Sequence, residues 1–146
     1  MLTLAGREAD IVGLAPRTLT GASGESVRSD PRSITIAAME EKIAWVREAA
    51  GERFGGLEFN IYPTGVPATI TDHARKIAND TLDRVRSTFG VDVPVDEWPD
   101  SPNVFVGTVD ALTSKVRELR DRLGISSFMF GDVDALAPVV ERLAGT

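Results

Sequence analysis

The stretch that decides the fold is Ser101–Phe130, SPNVFVGTVDALTSKVRELRDRLGISSFMF. Gly107-Thr108 opens an amphipathic helix over about Val109–Leu123, whose Leu112, Val116, Leu119 and Leu123 recur at three- and four-residue steps. Gly124 closes the helix, and the apolar run Ile125–Phe130 follows at once as a short buried strand. A helix that leads without a tight turn into a buried strand is the second half of a βαβ crossover, the repeating unit of parallel α/β folds.

Working outward, the same grammar repeats. Ala9–Leu14 (ADIVGL) reads as a short strand buried on both faces, preceded by a helical stretch over Met1–Ala9. Residues 15–33 turn to Pro, Gly, Ser, Thr and Arg without periodicity, which predicts a long surface excursion. A helix over about Ile34–Gly51 follows, with Ile36, Met39, Ile43, Val46 and Ala50 on its inner face. Leu57–Tyr62 alternates as a strand and is stopped by Pro63, and a Pro/Gly loop runs to Pro67. A second long helix occupies about Thr71–Phe89, with Gly90 as its stop. Residues 91–102 carry Pro94, Pro99 and Pro102 and predict an irregular loop. After Phe130, Asp132 or Asp134 caps a last helix ending near Ala144, in which Pro138 belongs to the opening turns. Helices alternate with strands and no tight hairpin separates them, so the expected class is α/β: one domain over 1–146 with a parallel sheet. Three strands leave both edges of that sheet open.

Composition narrows the function classes. The chain has 146 residues, 42% of them hydrophobic, enough for one core. Its net charge of −6 argues against nucleic acid or an anionic membrane surface as partner. With no cysteine, disulfides, thiolate catalysis and cysteine-bound metals are excluded. No apolar run approaches the roughly 20 residues that span a bilayer, and no signal-peptide pattern opens the chain, so a cytoplasmic protein is expected.

Four stretches, taken in order, carry a family resemblance. They are Ala5–Leu14 (AGREADIVGL), Glu41–Gly51 (EKIAWVREAAG), Ser101-Pro102 with Gly107-Thr108, and Gly124-Ile125-Ser126 through Glu141–Gly145 (ERLAG). Together they resemble the closing part of the luciferase-like monooxygenase superfamily, more narrowly its deazaflavin (coenzyme F420)-dependent oxidoreductases. The resemblance implies a (β/α)8 TIM barrel, a fold of roughly 250 residues or more, of which this chain would supply the last three β/α units. It implies hydride transfer between F420 and a small organic substrate of unknown identity, or FMN in place of F420 in a monooxygenase relative. The glycine-rich segment that helps hold the cofactor's phosphate in the family would lie upstream of Met1. The chain is therefore expected to be a C-terminal portion, inactive alone and binding no cofactor by itself. The alternative is a non-catalytic half-barrel that forms a homo-oligomer, or pairs with another subunit, through its open sheet edges.

In parallel barrels the chemistry sits at the C-terminal ends of the strands. Those ends are Gly13-Leu14, Asn60 to Tyr62 and Phe130 to Asp132, and on this resemblance Gly13, Leu14, Asn60, Tyr62 and Phe130 are the candidate cofactor contacts, against ordinary strand-end packing. Gly107-Thr108 adds a candidate anion site at a helix start, against a plain N-cap. Thr18–Gly24 (TLTGASG) is a candidate lid or contact for a phosphorylated tail, against a surface loop, which is favoured because it matches no phosphate-loop spacing. His73 is the sole histidine and makes a poor metal site; Asp92, Asp96, Glu97 and Asp100 lack calcium-loop spacing. Trp45 is expected on the outer helical layer and Trp98 as an exposed anchor or interface residue. No Ser-His-Asp set supports hydrolysis, and no catalytic residue is assigned.

Overall fold

The helix that anchors the sequence reading forms as its ends dictate. In the computed structural model, which describes residues 1–20, 26–64, 66–89, 97–131 and 133–144, Thr108 Oγ1 accepts from the Ala111 N–H at 3.2 Å and starts helix α4, Val109–Leu123. Gly124 ends it at φ +68°, and its N–H donates to the Arg120 carbonyl at 2.9 Å. This is the left-handed C-terminal stop that a residue without Cβ adopts at no steric cost. Leu112, Val116, Leu119 and Leu123 are buried, as their spacing requires, and the fully buried Ile125 carries the chain into the last strand.

The complete order begins with helix α1 (Leu2–Glu8), strand β1 (Ile11–Gly13), strands β2 (Thr18–Thr20) and β3 (Ser26–Ser29), and a 3-10 turn at Pro31–Ile34. Then come helix α2 (Ile36–Ala50), a second 3-10 segment (Gly51–Gly56), strand β4 (Glu58–Ile61), strand β5 (Thr69–Ile70) and helix α3 (Ala74–Phe89). Strand β6 (Val106–Gly107), α4, strand β7 (Ile125–Phe128) and helix α5 (Val133–Leu143) complete the described chain.

The main sheet is parallel in the order β1-β4-β7, with Val12 opposite Phe59 and Asn60 opposite Ser127. Spatial order equals chain order, so α2 and α4 make two successive crossovers in one direction, and a constant hand puts both on one face. The burial pattern agrees. Val12, Phe59, Ile61 and Ile125 join Met39, Ile43, Val46, Leu112 and Val116 in the core, whereas their neighbours on the strands are exposed: Ile11 at 60%, Tyr62 at 39% and Met129 at 63%. The chain is an α/β protein whose parallel sheet is backed by helices on one side and, among the described residues, is bare on the other.

Several expectations are corrected. The excursion 15–33 contains an antiparallel ladder, β2 against β3, with Thr18 opposite Ser29, so the connection is not free of antiparallel pairing. It ends in a buried anchor: Asp30, fully buried, accepts from Arg17 and Arg32 and caps the 3-10 turn through the Arg32 N–H at 3.0 Å. Lys42, on the inner side of α2, ties down the same segment by donating to the Ala15 carbonyl at 2.9 Å and the Ser33 carbonyl at 2.8 Å. Trp98 is not an exposed anchor; it is 4% exposed, and Ser101 to Gly107 are buried with it. Phe105 drives this, because its ring stands edge-on to Phe128 and Phe130, at centroid distances of 6.0 and 4.8 Å. Pro138 stands inside α5 beyond the opening turn, where it forfeits the N–H that would reach the Asp134 carbonyl. Trp45 lies on the outer side of α2 and is 48% exposed. Gly90, residues 91–96, Gly21–Gly24 and Asp132 lie outside the described residues.

Candidate functional site

The C-terminal ends of β4 and β7 create the candidate site. Tyr62 leaves β4 with its ring partly exposed, Pro63 ends the strand, and Val66, Pro67 and Ala68 bring the chain back beside it. Met129 leaves β7 next to Tyr62, because its N–H donates to the Ile61 carbonyl at 3.0 Å. These residues and Gly131 enclose a depression of about 540 Å³. Its wall is fixed from behind by a buried polar clasp. Asn103 Nδ2 donates to the Tyr62 carbonyl at 2.9 Å, and the Asn103 carbonyl accepts from the Thr64 N–H at 2.8 Å. Farther along, Thr69 and Thr71 donate to the Phe105 and Gly107 carbonyls, both at 2.8 Å, as the parallel β5–β6 pair. Asn103 is fully buried, and its Oδ1 has no hydrogen-bond partner among the described residues.

The residues singled out from sequence fall in different places. Tyr62 lines the depression. Gly13 and Asn60 lie on the bare face of the sheet, where Asn60 Nδ2 donates to Ser127 Oγ at 2.8 Å. Leu14 is fully buried and donates its N–H to the Asn60 carbonyl at 2.9 Å, so it faces the helices. Phe130 packs edge-on to Phe105 and stacks with Phe128, with 12° between those two planes. Gly107 and Thr108 line a different groove, of about 560 Å³, along α4. There the Thr108 hydroxyl is committed to its capping bond, and Asp110 already puts a carboxylate, paired with Arg142, in the first turn. A second anion at that helix start would meet the Asp110 charge.

His73 is exposed and immediately precedes α3; its N–H donates to Thr71 Oγ1 at 3.1 Å. Glu97 and Asp100 are exposed, and among the described residues no group of three or more His, Asp or Glu side chains could hold a metal ion. Among the described residues no helix is long and apolar enough to cross a membrane. Sequence reasoning missed Met129, Asn103 and Lys115. Met129 was one apolar residue in a run of them, and the other two reach their partners over chain separations that local patterns do not encode.

The site does not fit a whole flavin or deazaflavin. Among the described residues none that lines it is Lys, Arg or His, so nothing there offsets the charge of a phosphate-bearing tail. Fold and site together define an α/β chain with a helix-backed parallel sheet and a shallow cavity at the strand ends. No family model, curated protein or solved structure matches it.

Proposed function

We propose that this chain is the C-terminal part of a luciferase-like, F420-dependent oxidoreductase, contributing the last three β/α units of a (β/α)8 barrel and inactive by itself. The observation that carries the reading is the singly wound parallel sheet with one bare face, whose Tyr62 and Met129 border a cavity at the strand ends. Parallel sheets are otherwise covered on both faces, and in a barrel the second face is the packed interior. On this reading Gly13 and Asn60 belong to that interior, and Tyr62 to one wall of the cofactor pocket. The counter-charge for the phosphate belongs to parts of the barrel that this chain does not hold. The enzyme's substrate is a small organic molecule, and FMN is the alternative cofactor.

Titration of the purified chain with F420, FMN alongside, followed by fluorescence after sizing by light scattering, tests the reading. No binding by the chain alone is expected. Saturable micromolar binding to FMN but not F420 would move it to the FMN-dependent relatives. Saturable binding of either by a defined oligomer would show that the chain builds a whole pocket and is not an inert part.

A second reading is favoured by the exposure of Ile11, Tyr62 and Met129 on one face: a non-catalytic half-barrel that covers this face by self-association through β1 and β7. A sharply defined dimer that binds neither cofactor is the outcome that selects it.

A further inference from the structure

The groove along α4 contains an amine in an unusual setting. Lys115 lines it together with Asp72, Asp100, Glu118 and Arg122, which supply its other charged groups. Lys115 Nζ donates to the Val104 carbonyl at 2.8 Å and to the Pro99 carbonyl, and lies 5.7 Å from the centre of the Phe105 ring. A neutral amine has two N–H donors and one lone pair. Two carbonyls take both donors, which leaves the lone pair as the free position of a side chain that borders a cavity.

Lys42 makes the comparison. It too donates to two carbonyls, but Met39 Sδ stands 4.0 Å from its Nζ, and the residue is buried in the core side of α2. Lys76 is exposed and paired with Asp80 at 2.6 Å. The chain has no other lysine.

We propose that Lys115 is a carbonyl-capturing amine and that the α4 groove is a binding site for a small neutral aldehyde. The lone pair adds to the carbonyl carbon and forms the C–N bond of a carbinolamine. Both hydrogens of the amine pass to the former carbonyl oxygen, which departs as water and leaves an imine. No oxidant or reductant is consumed.

The ionisation of Lys115 supports the geometry. Burial pushes it down to about 8, against the opposing pull of the Asp100 and Glu118 carboxylates. About a quarter of the amine is then neutral at pH 7.5, against about one in a thousand for an ordinary lysine. Lysines desolvated in a cleft are the nucleophiles that imine chemistry uses.

Incubation of the full chain with propanal and sodium cyanoborohydride at pH 7.5, followed by peptide mass spectrometry, reads the alkylation rate at each lysine. Lys115 is expected to react at least about tenfold faster than Lys76, to saturate with propanal, and to level off above about pH 8. The Lys115→Arg variant keeps a cation on the two carbonyls and should lose that label with Lys76 unchanged. A Lys115 rate at or below that of Lys76 would overturn the amine's role. A fast rate that stays linear in propanal would overturn the binding site.

Discussion

Replacing Asp30 by alanine removes one buried carboxylate and tests what holds the 15–33 segment. Asp30 is 0% exposed and accepts from Arg17 Nε at 3.1 Å, from Arg32 Nε and the Arg32 backbone N–H at 3.0 Å each, and from both Nη2 atoms. The two arginines are themselves 67% and 58% exposed, so after the substitution they return to water and leave no buried charge behind. Each pair therefore contributes only about 0.5–1 kcal/mol, as partly exposed ion pairs do. Loss of the cap on the 3-10 turn adds about 1 kcal/mol. The sum is about 2–3 kcal/mol, a large part of the roughly 5–15 kcal/mol available to a domain. In urea, followed by the buried Trp98, this lowers the midpoint by roughly 1–2 M.

The pH dependence supplies an independent signature of the same carboxylate. Burial alone would raise its pKa, but the hydrogen bonds from Arg32 and Arg17 prevail and hold it at about 2, below the ordinary 3.8. The unfolded chain therefore takes up the proton first as pH falls. The stabilisation is complete above about pH 4, declines as pH drops towards 2, and is gone below it. The difference between wild type and Asp30→Ala must shrink over that window and stay flat above it. A loss under about 0.5 kcal/mol at pH 6, or a difference that persists unchanged to pH 2.5, refutes the reasoning.

Substitutions at three further positions probe separate contacts. At Gly6 a Cβ would lie 2.8 Å from the Val46 carbonyl oxygen and 3.2 Å from Ala49 Cβ, so Gly6→Ala pushes α1 off α2 and should cost about 1–3 kcal/mol in urea unfolding. Gly124→Ala meets no atom but forces a side chain to φ +68°, which should cost about 1–2 kcal/mol and fray the last turn of α4, visible as faster hydrogen exchange there. Asn103→Asp deprives the Tyr62 carbonyl of its donor and buries a charge, so it should destabilise by about 3 kcal/mol or more. Asn103→Ala also removes the unpartnered Oδ1 and should cost only about 1 kcal/mol. Equal losses for the two Asn103 variants, read by thermal melting, would show that the clasp is not what the burial of Asn103 serves.

The periodic parts of this chain were readable and the coupled parts were not. Helix α4 and the start of β7 announce themselves through the stripe Leu112, Val116, Leu119, Leu123 and the stop at Gly124, because burial and backbone sterics act within a few residues. The same held for α2 and the three strands of the main sheet, to within about two residues at most of their ends, whereas the short β5–β6 pair was not read. The β2–β3 ladder escaped because it is short and follows no apolar alternation. Ser101–Gly107 escaped for a different reason. Pro99 and Pro102 marked 91–102 as an irregular loop, yet Val104 and Phe105, just beyond it, are buried where the chain hangs its backbone on β5 and on Lys115. Of the candidate site, Tyr62 was legible as a strand end, while Met129 depended on which strand lies next to β4.

That neighbour relation also gives the bare face its meaning. A sheet face meant for water carries charge at alternate positions, as antiparallel edges and amphipathic sheets do. Here the positions facing away from the helices include Ile11, Gly13, Asn60, Tyr62 and Met129, with Glu58 the charge among them at the N-terminal end of β4. Asn60 meets Ser127 across the strands with a hydrogen bond of its own, so the centre of the face can lose water without stranding that amide donor. A face built in this way tolerates being covered and gains little from being wet. On the proposed reading, Ile11 and Met129 are exposed because the rest of the barrel would cover this face. Such a cover would have to present apolar surface to both ends of the sheet and leave the Asn60–Ser127 pair intact at its middle.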